Sequence, residues 1–252
     1  HALPAARQGE VFHRYILGLY DLYERLTTAF PHVLFESCAS GGNRFDPGML
    51  YYAPQAWTSD NSDAVERQKI QYGTSMCYPL SSMGSHVSVV PNHQVNRVTP
   101  LHTRANTAYF GTFGYELDLG KLSAEEIAEV KDEIAFMKEY REIFQFGTFY
   151  RLQSPFEHNV MAWMCVSGDQ KTAIVGWYRT LNRVNDRFAR VRLAGLLPDT
   201  LYEDSRSGAR CYGDELMHYG LITTDGTTGE PHPEDGLTTD FDSRLYVLKA
   251  VE

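Results

Sequence analysis

Hydrophobic and polar positions in the first quarter of the chain form one helical pattern followed by two short units. Over residues 9–30, apolar side chains recur every three or four positions, which predicts an amphipathic helix ending before Pro31. The apolar run 33–35 leads into a polar, glycine-containing loop, the pattern of a buried strand that ends in a loop. A second strand is expected to begin within 49–52 and to reach Trp57, before the polar cluster 58–63. Because parallel strands build sites at their carboxyl ends, 33–63 is the first stretch to search for chemistry.

The next part of the chain continues the alternation of strands and helices. Asp63 and Glu66 resemble an N-terminal capping box and predict a helix to about residue 74. The remaining elements expected before residue 147 are, in order, a strand at 77–82, a long polar loop at 84–100, a helix at 101–109, a strand at 113–117, and a helix that begins with the capping box of Ser123 and Glu126 and has Ile127, Val130, Ile134, Met137 and Phe144 on one face.

Beyond residue 147 the pattern changes to short alternating runs between turn residues. The runs 160–166, 172–178, 188–193 and 243–251 are typical of antiparallel strands. We therefore predict an α/β domain at 1–147 and an all-β domain at 148–252. The first contains a helix and four strand–helix units, which is half of a closed (β/α)8 barrel of the TIM type. The second is expected to be a small antiparallel β-sandwich.

Composition narrows the functional classes. The chain has 252 residues, of which 43% are hydrophobic, enough for a sizeable core. Its net charge of −9 and the lack of a Lys/Arg cluster argue against a nucleic-acid partner. Aromatic residues make up 13%, which suits a sugar-stacking site but is explained equally by a well-packed core.

The cysteines, histidines and apolar runs predict neither a metal nor a membrane partner. The four cysteines lie far apart without a CxxC motif, so neither zinc nor a disulfide is required, and a reducing, cytoplasmic compartment is expected. His86, His93 and His102 are irregularly spaced and offer no ligand face. No apolar run is long enough to cross a membrane and no export signal is evident, although a first residue other than Met suggests that an upstream segment was removed. No cofactor is expected.

Several long motifs carry a resemblance to a known family. The stretch FESCASGGNRFDPGMLYYAPQAWTSDNSDAVERQKIQYGTS, followed by MGSHVSVVPNHQ, RVTPL and GTFGYELDL, resembles the C-terminal half of bacterial α-galactosidases of glycoside hydrolase family 36. The similarity is dense up to residue 119 and looser afterwards. It implies a longer enzyme with an N-terminal β-sandwich, a central (β/α)8 barrel and a small antiparallel C-terminal domain. This chain would supply the second half of the barrel and the last domain.

The resemblance also implies a mechanism. The family uses two carboxylates in a retaining reaction: one attacks the anomeric carbon, and the other protonates the departing oxygen and then activates water. The acid/base matches Asp60, in the motif Trp-x-Ser-Asp-Asn. An aspartate at a strand end beside Trp57 can be partly desolvated, which raises its pKa toward the value a general acid needs. The alternative is that Asp60 only holds a loop through backbone hydrogen bonds. Asp63 is interpreted as an N-cap.

Three further positions match sugar contacts of the family. Cys38 and Gly41 correspond to a thiol and a close backbone approach to sugar hydroxyls, and Trp57 to an aromatic wall. The alternative for Cys38 is a small buried hydrophobic residue. The loop departs from the family's Cys-Ser-Gly-Gly-Gly-Gly-Arg-Phe-Asp pattern at Ala39, Ser40 and Asn43. Selectivity among galactosides is therefore expected to differ.

One motif of the family is missing from the chain. The nucleophile lies in a Lys-Trp-Asp tripeptide, but the three tryptophans here are followed by Thr58, Met164 and Tyr178. The expected function is therefore part of a retaining α-galactosidase that acts on raffinose- or melibiose-type oligosaccharides. The chain alone is expected to be inactive, to need the missing N-terminal half as a partner, and to form homo-oligomers. The alternatives are a non-catalytic carbohydrate-binding or structural remnant, and a galactosyl transferase of the same superfamily.

Overall fold

A computed structural model describes residues 3–182, 189–223 and 240–251 of the chain. The chain forms two compact units, residues 1–60 and 61–252. Within the described ranges, no helix combines the length and the apolar character needed to cross a membrane.

The first unit contains one long helix and one pair of short strands. A 3-10 turn at Ala5–Glu10 leads into helix α1, Val11–Ala29, which ends just before Pro31 as predicted. Strand β1, Glu36–Ser37, pairs in parallel with β2, Gln55–Ala56. Helix α2, Pro47–Tyr52, connects the two strands.

Two sequence predictions in the first unit are wrong. The run 33–35 is not a buried strand: Val33 is 52% and Leu34 86% exposed. The amide of Val33 closes a turn onto the Phe30 carbonyl, and strand pairing begins only at β1. Residues 49–52 lie in α2 instead of a strand. Asp46 accepts a hydrogen bond from the Met49 amide at 2.9 Å and is the N-cap of α2. Because an N-cap followed by proline at N1 favours the start of a helix, these local signals outweigh the apolar run that predicted a strand.

The second unit begins with helices and a parallel strand pair. Its first elements are α3 (Ala64–Thr74), a 3-10 turn (Leu80–Ser82), β3 (Gly84–Ser88), α4 (Leu101–Ala108), β4 (Thr112–Glu116) and α5 (Ala124–Phe146). Strands β3 and β4 are parallel. The predicted caps are confirmed: Asp63 accepts from the Glu66 amide, and Ser123 and Glu126 form a reciprocal capping box.

The strand predicted at 77–82 is wrong, and β3 lies inside the predicted loop. The sequence of β3 is polar, yet four of its five residues are buried. Its hydroxyl groups are hydrogen-bonded internally: Ser85 Oγ donates to Gln71 Oε1 at 2.8 Å, and Ser88 Oγ donates to the Ser62 carbonyl at 2.7 Å. Because small hydrogen-bonded hydroxyls can be buried without large cost, the polar pattern concealed the strand.

The rest of the second unit is antiparallel. A six-stranded sheet has the order β10-β9-β12-β7-β6-β5, and a separate pair joins β11 to β8. The elements are β5 (Thr148–Gln153), β6 (Val160–Val166), β7 (Thr172–Arg179), β8 (Arg190–Val191), β9 (Leu201–Asp204), β10 (Arg210–Tyr212), α6 (Gly213–His218), β11 (Leu221–Ile222) and β12 (Asp242–Ala250). Three predicted strands are confirmed as β6, β7 and β12. The fourth, 188–193, is reduced to β8, and Phe188 lies outside the described residues.

Helix α4 joins the sheet through buried polar groups. Trp163 Nε1 donates to Tyr178 Oη at 3.0 Å, and Tyr178 Oη donates to the Asn106 carbonyl at 2.6 Å. Aromatic rings continue this core, with Phe110 4.9 Å from Trp163 and 5.0 Å from Phe144 between ring centroids. The change from helices to antiparallel strands occurs between α5 and β5. The domain boundary after residue 147 stays a prediction, since the two compact units divide elsewhere.

Candidate functional site

The paired ends of β1 and β2 organise the predicted site in the first unit. Ser37 is opposite Ala56 in the parallel register, and the Trp57 amide donates to the Ser37 carbonyl at 3.0 Å. This hydrogen bond extends the pairing to the last residue before each loop. The chain segments that carry Cys38 and Asp60 therefore leave the same end of one strand pair.

The loop after β1 is closed by its own hydrogen bonds. Ser40 and Gly41 have φ angles of 49° and 74°, in the left-handed region. The Ala39 amide donates to the Gly41 carbonyl at 3.1 Å, and the Arg44 guanidinium donates to the Cys38 carbonyl at 3.0 Å. The carbonyl of Arg44 in turn accepts from Ser37 Oγ at 3.2 Å. The loop is thus a compact turn with Cys38 at its first position.

Gly41 brings this loop against the segment before Asp60. A Cβ added at Gly41 would lie 2.7 Å from Ser59 Cα and 3.0 Å from the Asp60 amide nitrogen. Real Cβ atoms do not approach backbone so closely, so glycine is required here by both space and conformation. In this chain Gly41 makes a close backbone approach to Ser59 and Asp60, and its predicted contact with a sugar stays a prediction.

The exposure of the candidate side chains differs from the sequence-based expectation. Trp57 is buried, with 9% exposure, whereas Thr58 and Ser59 are half-buried and Asp60 is exposed. The desolvation expected for Asp60 is not found, because burial at this strand end stops at Trp57. The thiol of Cys38 is free and Cys38 is exposed, so the interpretation of Cys38 as a small buried hydrophobic residue is wrong.

The other aspartates near the motif act in helix capping. Asp63 is 1% exposed, accepts from the Glu66 amide at 3.0 Å and forms an ion pair with Arg97. Asp46 caps α2 and accepts from Tyr20 Oη at 3.2 Å. Burial together with this carboxylate raises the pKa of Tyr20. Both carboxylates are therefore used in helix capping. Asp60 is the exposed carboxylate of the motif.

Sequence reasoning missed a buried acid in the second unit. Glu133 on α5 is 7% exposed, and its Oε2 accepts from Tyr115 Oη at 2.5 Å. Within the described ranges, Oε1 has no hydrogen-bond partner. Burial raises the pKa of Glu133 to about 7, although the Tyr115 hydrogen bond opposes this shift. The available signal was its place among the apolar positions of α5, three residues after Val130.

Two of the three histidines considered as metal ligands lie beside a carboxylate. His86 lies on β3, with Nδ1 3.6 Å from Glu116, and His102 Nε2 is 2.5 Å from Asp242 Oδ1. Across the parts of the chain that the structure describes, no cluster of three or more His, Cys, Asp or Glu residues could hold a metal ion.

Two family models match the chain. The model described as Melibiase matches residues 1–147, and the glycosyl hydrolase family 36 C-terminal domain matches residues 160–248. Among curated proteins, α-galactosidase AgaA of Geobacillus stearothermophilus is 52% identical over 251 residues, which are 100% of this chain and 33% of that protein. Alpha-galactosidase 1 of Pediococcus pentosaceus is 46% identical, over 99% of this chain and 33% of that protein. The chain thus spans about a third of these relatives.

Solved structures agree with the sequence matches. The family 36 α-galactosidase AgaA of Geobacillus stearothermophilus, in a variant complexed with raffinose, has a TM-score of 0.91 at 52% identity, over 99% of this chain and 33% of that one. The α-galactosidase of Lactobacillus brevis has a TM-score of 0.92 at 50% identity, with the same coverage. The predicted fold class, half of a (β/α)8 barrel followed by an antiparallel β domain, is confirmed by this likeness. The chain belongs to the melibiase family and carries the C-terminal domain of glycosyl hydrolase family 36.

Proposed function

We propose that this chain supplies the acid/base part of the active site of a retaining α-galactosidase, with Asp60 as the acid/base. The observation that carries the proposal is the packing of Gly41 on Ser59 and the Asp60 amide, because it holds the Asp60 backbone against the loop of Cys38. An exposed carboxylate on a rigid backbone can meet a glycosidic oxygen. Binding of the sugar would then supply the desolvation that a general acid needs.

The proposed reaction follows from the exposure of Asp60. In the first step the Asp60 carboxylic acid donates its proton to the departing oxygen, while a nucleophile outside this chain attacks the anomeric carbon. In the second step the Asp60 carboxylate removes a proton from water, which attacks the same carbon and restores the original configuration. Cys38, Gly41 and Trp57 are proposed to contact the sugar. Since Trp57 is almost fully buried, we expect only its ring edge to be reached.

The proposal also covers the substrate, the partner polypeptide and the cellular location of the protein. The relatives named α-galactosidases, and the raffinose in one solved complex, support raffinose- or melibiose-type oligosaccharides as substrates. The partner would be a polypeptide with the Lys-Trp-Asp nucleophile motif, which this sequence lacks. A homo-oligomer and a cytoplasmic location are also proposed, the latter supported by four free thiols. Galactosyl transfer and a non-catalytic role remain the competing hypotheses.

A chimera tests the function directly. This chain would replace the matching third of AgaA, and hydrolysis of raffinose and of a nitrophenyl α-galactoside would be measured. In the chimera, Asp60→Ala should reduce raffinose hydrolysis by about 10² to 10⁴-fold, because the sugar leaving group needs a proton. The activated aryl group departs with little protonation, so galactosyl-enzyme should accumulate and azide should accelerate turnover to give α-galactosyl azide.

The chimera experiment has a control variant and three outcomes that would contradict the proposal. Asp199 is exposed in the β domain, so Asp199→Ala should keep the activity of the parent chimera. If Asp60→Ala slows both substrates equally and azide has no effect, or gives the β-azide, Asp60 is not the acid/base. An inactive chimera that folds would favour the non-catalytic role, and oligosaccharide products in place of free galactose would favour transfer.

A further inference from the structure

A cavity of about 690 Å³ lies in the antiparallel part of the second unit. One wall is a face of the six-stranded sheet, formed by alternate residues of β9 and β12, and the opposite wall comes from α6 and β11. Its volume falls within the range of small-molecule sites. None of its lining residues is a candidate for the α-galactosidase reaction.

Tyrosine rings contribute much of the lining. Tyr202 Oη donates to the Gln170 carbonyl at 2.7 Å and accepts from the Leu197 amide at 3.0 Å, so its hydroxyl is engaged within the protein. Tyr246 on β12 is also buried. Tyr219 is 55% exposed, and the Arg190 guanidinium lies 3.8 Å from its ring centroid. The cavity is therefore lined by two buried tyrosine rings and one exposed ring, that of Tyr219, which packs against Arg190.

The charged groups of the lining balance one another. Two arginines, Arg206 and Arg244, are matched by two acids, Asp204 and Glu215. Asp204 is buried, and its carboxylate accepts from Ser207 Oγ at 2.6 Å and from the Ser207 amide at 3.2 Å, which fixes the turn at the cavity edge. The lining residues therefore carry no net formal charge, and the Arg190 guanidinium against Tyr219 is the one further charge described above. A neutral ligand with hydroxyl groups suits this lining.

We propose that this cavity is a second saccharide-binding site, and that it takes the neutral oligosaccharides on which the enzyme acts. An apolar sugar face would stack on Tyr219, and sugar hydroxyls would bond to the Arg244 guanidinium and the Glu215 carboxylate. Arg244 Nη1 is already oriented by Tyr246 Oη at 3.5 Å. The site would hold substrate near the enzyme without taking part in hydrolysis. The identity of the sugar rests on the function proposed above.

Methyl NMR of the 252-residue chain tests the proposal with raffinose as probe. The signals of Leu216, Leu221 and Leu248 report on the cavity, and raffinose should shift them saturably. Tyr219→Ala should weaken this binding roughly tenfold, as expected for the loss of an aromatic contact. Ala209 is exposed at the cavity edge, so Ala209→Trp should block the site and abolish the shifts without disturbing the core.

Controls separate this site from the catalytic one. Phe156 is exposed in the same unit but outside the cavity, so Phe156→Ala should bind raffinose like the parent. Shifts that survive Ala209→Trp, or no shifts at these leucines, would overturn the proposal. The chimera distinguishes the two proposals: a hydrolytic chimera whose cavity methyls ignore raffinose contradicts only the second site. An inactive chimera whose cavity methyls respond contradicts only the α-galactosidase assignment.

Discussion

Gly41 and Ser59 are in backbone contact across the two loops that leave β1 and β2. A Cβ on Gly41 would approach Ser59 Cα to 2.7 Å, and the residue has a φ angle of 74°. Both the added Cβ and Ser59 Cα are fixed to the backbone, so neither can move without displacing its loop. The spacing between the Cys38 loop and Asp60 therefore depends on the absence of one methyl group.

Gly41→Ala should separate these loops. The left-handed conformation alone costs an L-residue roughly 1 to 2 kcal/mol, and the clash with Ser59 adds to it. We expect lower stability in denaturant unfolding and a loss of raffinose hydrolysis in the chimera. Gly18 in α1 is the matched control, because nothing lies within 4 Å of its added Cβ, and Gly18→Ala should stabilise the chain by about 0.5 to 1 kcal/mol. Equal behaviour of the two variants would contradict the contact.

The 252-residue chain without a partner should not hydrolyse α-galactosides at an enzymatic rate. General acid catalysis by Asp60 alone contributes about 10² to 10⁴-fold, far less than glycosidases achieve. The measurement is release of nitrophenol from a nitrophenyl α-galactoside by the purified chain, with the chimera as the positive control. Turnover comparable to the chimera would mean that a nucleophile lies within this sequence.

The isolated chain should self-associate through the first unit. Phe12 is 82%, Leu34 86% and Tyr51 78% exposed, and large exposed apolar side chains favour association. Light scattering should show a mass above the monomer that falls on dilution. Replacing Phe12 and Leu34 with serine should reduce the measured mass. Phe146→Ser, at a similarly exposed position in the second unit, should have less effect on that mass. A monomer at high concentration would refute the prediction.

Local signals were enough to predict the longer helices but not the short helix α2 or every strand. The caps at Asp63 and Ser123 and the stop at Pro31 act within a few residues, so α1, α3 and α5 could be read from the sequence. Strand β3 could not, because the hydroxyl of its buried Ser85 is satisfied by Gln71, fourteen positions away. A rule that assigns polar stretches to loops does not take account of a hydrogen-bond partner that is distant in sequence.

The candidate site shows the same division. The resemblance singled out Asp60 and Gly41, but exposure depends on the whole fold, and the expected desolvation of Asp60 was absent. Glu133 was missed for the opposite reason. It is an ordinary glutamate in a charged helix until Tyr115 from β4 and the surrounding core bury it.

Glu133 gives the chain a stability that depends on pH. Its pKa is raised to about 7 in the folded state, chiefly by burial and against the pull of the Tyr115 hydrogen bond and nearby Arg104. The folded state therefore binds more protons than the unfolded state between the ordinary glutamate pKa and about 7. Stability from this group falls as pH rises through that window, because an ionised Glu133 is held in the core.

Glu133→Gln should remove this pH dependence, since glutamine keeps an oxygen for Tyr115 Oη and carries no charge. We expect the variant to unfold at higher denaturant concentration than the parent at pH 8, and the difference to vanish below about pH 3.5, where Glu133 is protonated in both states. Glu142 is exposed on the same helix, so Glu142→Gln should follow the parent at both pH values. If Glu133→Gln is less stable than the parent at pH 8, the ionised carboxylate stabilises the fold and burial does not dominate its pKa.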